Sequence, residues 1–242
     1  MYNLFISAGV ALVTFMLLKF AAGLFWWFAL VIALLLLTGV FYLISRTVMK
    51  KVMAIMETAS KDLQAQRVEK GIRELQSAFK YGKWQIYVTG QINAQIGMVY
   101  YMKRDFPAAF PYLEKAFFKN WVAMGMLAIS YMKRNKKDKM KETFEKAVTG
   151  SPKEPLLWNL YAYCLCESGE PEKARSVLEK GLKKLPGDEK TRQNLELLQD
   201  GKKMKMKGFG EMWLQFHLES LGTIQKQQMA AMGGMKRRIV RR

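Results

Sequence analysis

Residues 2 to 18 are apolar except for Asn3, Ser7 and Thr14, and residues 24 to 44 carry no charge. Neither stretch has a polar face, and apolarity all round a helix predicts contact with lipid rather than water. The second would reach roughly 31 Å and so crosses a hydrocarbon core, whereas the first sits at the short limit for a span. Lys19 to Gly23 predicts a tight hairpin between them. A cleaved signal peptide is the competing reading of the first stretch, because the small residues Ala21, Ala22 and Gly23 follow the apolar run. Met1-Tyr2-Asn3 lacks the basic start of such leaders, and the second stretch remains an anchor on either reading. Lys19 alone occupies the turn while Arg46, Lys50 and Lys51 follow the second stretch. That asymmetry predicts a cytoplasmic C-terminal side, with Trp26 and Trp27 at the far interface; in a bacterial host this is the inner or plasma membrane.

Beyond residue 53 the period changes. Trp158, Tyr161, Ala162 and Leu165 form one helical stripe, Gly169 interrupts it, and Ala174, Leu178, Gly181 and Leu182 form a second, closed by Pro186. Thirty-four residues earlier the stripe recurs as Leu127, Ala128 and Tyr131, then Met140, Phe144, Ala147, Val148 and Pro152. A step of 31 residues gives Ile96, Gly97 and Tyr100, then Phe106, Ala109, Leu113, Ala116 and Phe117. A fainter second helix places Leu75 and Ala78 in the same roles, which starts the array near residue 53. The pattern of paired helices with small residues at their crossing resembles the tetratricopeptide repeat.

The resemblance implies a repeat α-solenoid over 53–199, and with the apolar stretches and the basic C-terminus it makes an all-α chain: an N-terminal two-helix transmembrane hairpin over 1–46 (spans about 2–18 and 24–44), the solenoid, and a basic, Met-rich C-terminal tail over 200–242 with an amphipathic helix. Its clearest units are 90–120, 121–154 and 155–188. A capping helix follows at 189–199, where Glu196 and Gln199 supply the polar outer face that ends such an array. Pro111 falls inside a second helix and predicts a kink there. The family's register also implies a concave groove lined by first helices, here by Ala94, Met98, Tyr101, Met102, Gly125, Ile129, Met132, Lys133, Asn159, Tyr163 and Cys166. In peptide-binding relatives that grip a C-terminal carboxylate, Lys and Asn recur at set groove positions, and only Asn159 matches that pattern. Flexible methionines beside tyrosines suit an apolar or amphipathic protein segment instead. The alternative is that the groove is filled by the chain's own tail.

Charge sharpens the picture of the tail. The formal net charge is +19, and the segment from Gly201 onward holds ten Lys or Arg against two Glu. Part of this excess is solvated helix surface. Anionic lipid headgroups are the natural partner for the rest, at about 1 kcal/mol per nearby basic residue. No recognised motif or interleaved aromatic platform points to nucleic acid. The residues in question are Lys202, Lys203, Lys205, Lys207, Lys236, Arg237, Arg238, Arg241 and Arg242, around a helical stripe of Phe209, Met212, Trp213, Phe216, Ser220 and Ile224. That stripe predicts an amphipathic helix on a membrane or on the repeat array.

Little in the sequence suggests catalysis. The two cysteines, Cys164 and Cys166, lie about 200° apart around a helix and cannot share a metal. Cys164 falls at a buried repeat position and Cys166 on the concave side. His217, the sole histidine, has no second ligand or base beside it in sequence. Phosphate-cradling loops, zinc-protease signatures and nucleophile elbows are absent. No catalytic, cofactor-binding or metal-binding residues are expected. The expected function is a membrane-anchored, non-enzymatic scaffold that recruits a protein partner through its groove. The alternative is a membrane-surface module whose tail binds anionic lipid or RNA.

Overall fold

The structure, a computed structural model, describes residues 1–219. It divides into two compact units, Met1–Phe117 and a second beginning at Phe118.

In the first unit, α1 (Tyr2–Met16) runs through a π turn (Leu17–Ala21) into a turn at Gly23, whose φ of +63° suits a residue without Cβ. Helix α2 (Trp26–Gln64) then packs back along α1. The contact face of α1 is Asn3, Ser7 and Ala11, four residues apart, and that of α2 includes Ala29 and Ala33. Small side chains at this spacing let two backbones approach, which is how helices associate where no water drives them together. The Asn3 amide donates to Ser45 Oγ at 3.0 Å, and Ser7 Oγ donates to the Asn3 carbonyl at 2.6 Å. Up to about residue 44 the outer faces are mostly apolar and exposed, as at Phe5, Leu12, Phe20, Leu35 and Leu43. Two helical stretches, Tyr2–Ala21 and Trp26–Gln64, are thus long and apolar enough to cross a membrane.

Helix α2 does not stop where its apolar stretch stops. It continues for 39 residues, about 58 Å at 1.5 Å per residue, so residues 47–52, expected to separate hairpin from array, are helical. Val48, Val52 and Ala59 of α2 enter a core with Ile72 and Leu75 of α3 (Val68–Ser77) and Val88, Ile92 and Ile96 of α4 (Val88–Met102). Tyr2 closes the hairpin's base: its N–H donates to the Lys83 carbonyl at 3.0 Å and its ring meets Trp84 edge-on at 5.5 Å. Helix α5 (Phe106–Leu113), capped by Asp105, lies against α4 so closely that a Cβ on Gly97 would sit 2.8 Å from the Leu113 side chain. Pro111 stays inside α5, a helix of 8 residues where its counterparts below have 14.

The second unit contains α6 (Trp121–Lys133), α7 (Lys137–Gly150), α8 (Pro155–Glu167), α9 (Pro171–Lys184) and α10 (Glu189–Gln199). Asn120 caps α6, and Pro155 and Pro171 open α8 and α9, where a missing N–H costs nothing. The turns repeat as faithfully as the helices. Gln66, Arg104, Asn135, Gly169 and Gly201 all take a left-handed conformation, 38, 31, 34 and 32 residues apart. Each follows a first helix. After Gly201 alone no second helix forms.

Packing inside the unit follows the repeat. A Cβ on Gly181 would lie 2.9 Å from the Trp158 ring, which is fixed by donation from Nε1 to the Pro152 carbonyl at 2.9 Å. Phe144 stacks on Tyr161 at 4.8 Å. Ala128 and Ala162 are wholly buried. Ala128→Leu or Ala162→Leu is therefore expected to overpack the array and cost about 1 to 3 kcal/mol. Thermal melts of either variant that match the parent would show that these crossings have room.

Glu170, just before α9, binds Lys141 of α7 at 2.6 Å and Lys173 at 2.5 Å. These hydrogen bonds, Lys141 first, pull its carboxyl from 4.5 down to about 2. A carboxylate depressed in the fold stabilises above its unfolded value and loses that contribution as pH falls through the folded one. The contribution is thus complete above about pH 4.5 and fades towards pH 2. Glu170→Gln should remove this part of the acid dependence; melting curves of parent and variant that stay parallel from pH 5 to pH 2 would refute the linkage.

Candidate functional site: the inner face of the second unit

Three first helices, α6, α8 and α10, present their inner sides in succession, and the tail beyond Gly201 lies on all three. At α10, the Lys202 N–H donates to the Leu197 carbonyl at 2.7 Å, and the Lys205 N–H donates to Asn194 Oδ1 at 2.7 Å. Lys190 Nζ donates to the Gly208 carbonyl at 2.7 Å and stands 5.1 Å from the Phe209 ring centre. Met206 is buried, its sulfur 3.9 Å from the Asn194 amide nitrogen. At α8, Trp213 meets Tyr163 edge-on at 4.9 Å. At α6, Phe216 lies 6.3 Å from Trp121, and a Cβ on Gly125 would come within 3.1 Å of the Phe216 ring. Trp213 and Phe216 are 2 % and 0 % exposed. Between α8, α10 and residues 201–208 a cavity of about 960 Å³ remains, lined in part by Tyr163, Cys166, Arg175, Asn194 and Met206.

A polar network holds α8 to α10 beneath the tail. The Asn159 amide donates to Thr191 Oγ1 at 2.7 Å and to the Pro155 carbonyl at 2.8 Å, while Asn194 Nδ2 donates to Asn159 Oδ1 at 2.9 Å. Thr191 Oγ1 donates in turn to Asp188, the cap of α10. Asn159, Thr191 and Asn194 are all buried, so the network is satisfied from within. Asn194 stands 35 residues after Asn159, one repeat on. That spacing was the available signal for Asn194; Thr191 and Lys190 carried none.

The other groove positions read from sequence are dispersed. Ala94 and Tyr101 are buried, Tyr101 edge-on to Phe106 at 5.0 Å. Met98 is half-buried and Met102 exposed. In the second unit Ile129 is buried, Met132 half-buried and Lys133 exposed, while Tyr163 and Cys166 are half-buried beside the tail. Asn159 points into the network above rather than onto an open surface.

The tail itself differs from the expected amphipathic helix. Helix α11 spans Glu211–Leu214 only, preceded by Gly210 at φ +62° and followed by His217 at φ +52°. A left-handed residue ends a helix, so Phe209, Trp213 and Phe216 share no helical stripe. Trp213 and Phe216, assigned from sequence to lipid contact, are covered by Tyr163 and Trp121 instead. Lys202, Lys203, Lys205 and Lys207 are exposed. Ser220, Ile224, Lys236, Arg237, Arg238, Arg241 and Arg242 lie outside the described residues.

Burial, then the charge of Glu167, pushes the Tyr163 phenol up to about 12. Burial likewise raises the thiols of Cys164 and Cys166. Both thiols stay protonated at neutral pH, and a protonated thiol is a poor nucleophile and metal ligand. Among the described residues no cluster of three or more His, Cys, Asp or Glu could hold a metal ion. What this surface offers is shape and hydrogen bonds.

Comparison with known proteins agrees with the geometry. The tetratricopeptide repeat family matches at residues 123–154 and, in an overlapping window, at 141–195. Residues 123–195 therefore carry tetratricopeptide repeats, and the matched windows coincide with α6 to α9 and the first part of α10. No match was found among curated proteins or among solved structures.

Proposed function

We propose that the protein is a membrane-anchored, non-enzymatic scaffold whose repeat array recruits a protein partner to the membrane through the inner face of its first helices. Tetratricopeptide repeats are protein-interaction modules, which supports the general role. The anchor rests on one observation above all: α2 carries an apolar, lipid-compatible segment and a share of the repeat core in one unbroken helix. A partner gripped by the array is then tethered to the membrane.

Lys19 in the turn against Arg46, Lys50 and Lys51 after the apolar stretch supports a cytoplasmic array and tail. Protease added to sealed right-side-out vesicles should spare residues 53–242 and cut them only after lysis. Digestion before lysis would reverse the orientation, and release of the protein by alkaline wash would remove the anchor altogether. Pull-down from detergent-solubilised membranes should recover a partner that is lost when the array is removed.

A lipid-binding role for the tail keeps one support, the exposed Lys202, Lys203, Lys205 and Lys207. It operates through charge, since Trp213 and Phe216 are turned inward. A chain beginning at residue 47 should then bind anionic vesicles in low salt and release them as salt rises, because exposed charges are screened over about 8 Å at physiological ionic strength. Binding to RNA in place of vesicles, with steep salt dependence, would favour the nucleic-acid alternative.

A further inference from the structure

We propose that residues 202–216 are an intramolecular ligand of the inner face, and that the partner segment for this face is a peptide of the same chemistry: a stretch outside regular secondary structure followed by two aromatic side chains three residues apart. The inference rests on the reading of that face as a docking surface and says what docks there.

The turn series supplies the first argument. Asn135 and Gly169 each lead from a first helix into a second, α7 and α9. Gly201 takes the same left-handed conformation after α10, yet the chain then crosses to the inner face. The tail therefore holds the position of a guest of the array and not of a further repeat element.

Its contacts are those of a bound peptide. One main-chain N–H, from Lys205, meets the side chain of Asn194, which fixes register without reading sequence. Specificity falls to Trp213 against Tyr163 and Phe216 against Trp121 and Gly125. The absent side chain at Gly125 leaves space that the Phe216 ring fills. Large aromatic anchors in pockets carry most of the energy in such recognition.

The fit is also incomplete. A cleft of about 960 Å³, partly open to solvent, stays unfilled beside residues 201–208. The strap is pinned at Lys205 and Met206, at Gly208 and Phe209 by Lys190, and again at Trp213 and Phe216. A tethered ligand acts at an effective concentration of order millimolar. A free segment of equal quality therefore meets a face that is already occupied, and opening the tail should raise its apparent affinity about 10²-fold.

The test uses the full chain in detergent or nanodiscs, with a protease site inserted between the exposed residues Asp200 and Gly201, so that the chain folds with its tail in place before the tail is freed. A labelled peptide of residues 202–219 serves as the ligand, and the same peptide carrying Trp213→Ser and Phe216→Ser as control. After cutting and separation of the tail, the labelled peptide should bind at least about tenfold more tightly than before, and the control peptide should bind neither form. The intact chain carrying Trp213→Ser and Phe216→Ser should bind the peptide as the cut chain does, with its helicity kept. Equal binding before and after cutting, retention of the cut tail with no uptake of peptide, or loss of helicity in the double variant would each assign the tail to the fold itself and overturn the proposal. An opened chain that takes the peptide but captures no membrane protein would uphold this inference and defeat the recruitment reading. Capture of a protein with which the peptide does not compete would do the reverse.

Discussion

A chain shortened to begin at residue 66 is expected to lose the helical structure of its first unit, whereas one beginning at residue 47 keeps most of it and leaves the membrane fraction. The difference lies in the second half of α2. Val48, Val52 and Ala59 are 6 %, 0 % and 0 % exposed and pack with Ile72, Leu75, Ala78, Val88, Ile92 and Ile96, with Ile55 and Met56 half-buried beside them. Burial of a Val, Ile or Met side chain is worth about 1.5 to 3 kcal/mol. Removing four of them together approaches the roughly 5 to 15 kcal/mol that hold a whole domain. Truncation at 47 costs the contacts of α1 with α2, the half-buried Ile44 beside the core, and the Tyr2 contacts with Lys83 and Trp84. Far-UV circular dichroism and amide exchange of α3 and α4 report the outcome. Retained protection of Ile72, Leu75 and Ile92 in the shorter chain would show that α2 is an anchor and nothing more.

That helix also marks where sequence reasoning was sufficient and where it was not. The apolar segment and the repeat were both legible, because each has its own period and composition. Their continuity was not, since hydropathy falls at Arg46 while nothing breaks the helix: no Gly or Pro occurs between Val40 and Gln64. Small residues at fixed spacing exposed the helix crossings in advance, and Gly97 and Gly181 do stand against Leu113 and Trp158. The turns were legible only in part. Gly169 announces a left-handed residue and Asn135 is compatible with one, whereas Gln66 and Arg104 adopt the same conformation with side chains that disfavour it.

The tail shows the limit more sharply. Phe209, Met212, Trp213 and Phe216 have near-helical spacing, and periodicity alone assigns them one face. In the fold Trp213 is claimed by α8, Phe216 by α6 and Phe209 by Lys190 of α10. Side chains drawn to three different helices cannot share one stripe, so tertiary contact overrides local pattern. Asn159 matches a ligand-gripping position in the sequence, whereas its partner Asn194 lies in a helix whose sequence marks a polar cap. The network between them became visible only when the two helices met.

Asn159→Leu is accordingly expected to destabilise the second unit by about 2 to 4 kcal/mol, far beyond the effect of losing one surface contact. Leucine keeps the branched shape, with bulkier methyl groups, but removes the acceptor for Asn194 and the donors to Thr191 and the Pro155 carbonyl. Asn194 Nδ2 keeps only the weak acceptor at Met206 Sδ. A buried amide left unpaired costs about 1 to 3 kcal/mol, whereas replacing both partners with apolar groups of similar shape is far less damaging. The Asn159→Leu and Asn194→Leu changes should therefore combine to less than the sum of their separate effects, with a coupling of at least about 1 kcal/mol. The Asn194→Leu change, alone or in the pair, also removes the acceptor for the Lys205 N–H, so that amide should exchange faster while α6 and α7 remain protected. Denaturant melts of the two single variants and the double variant measure the coupling. Strict additivity would mean that the two asparagines act independently, and unchanged Lys205 exchange in Asn194→Leu would mean that the tail is held by its aromatic residues alone.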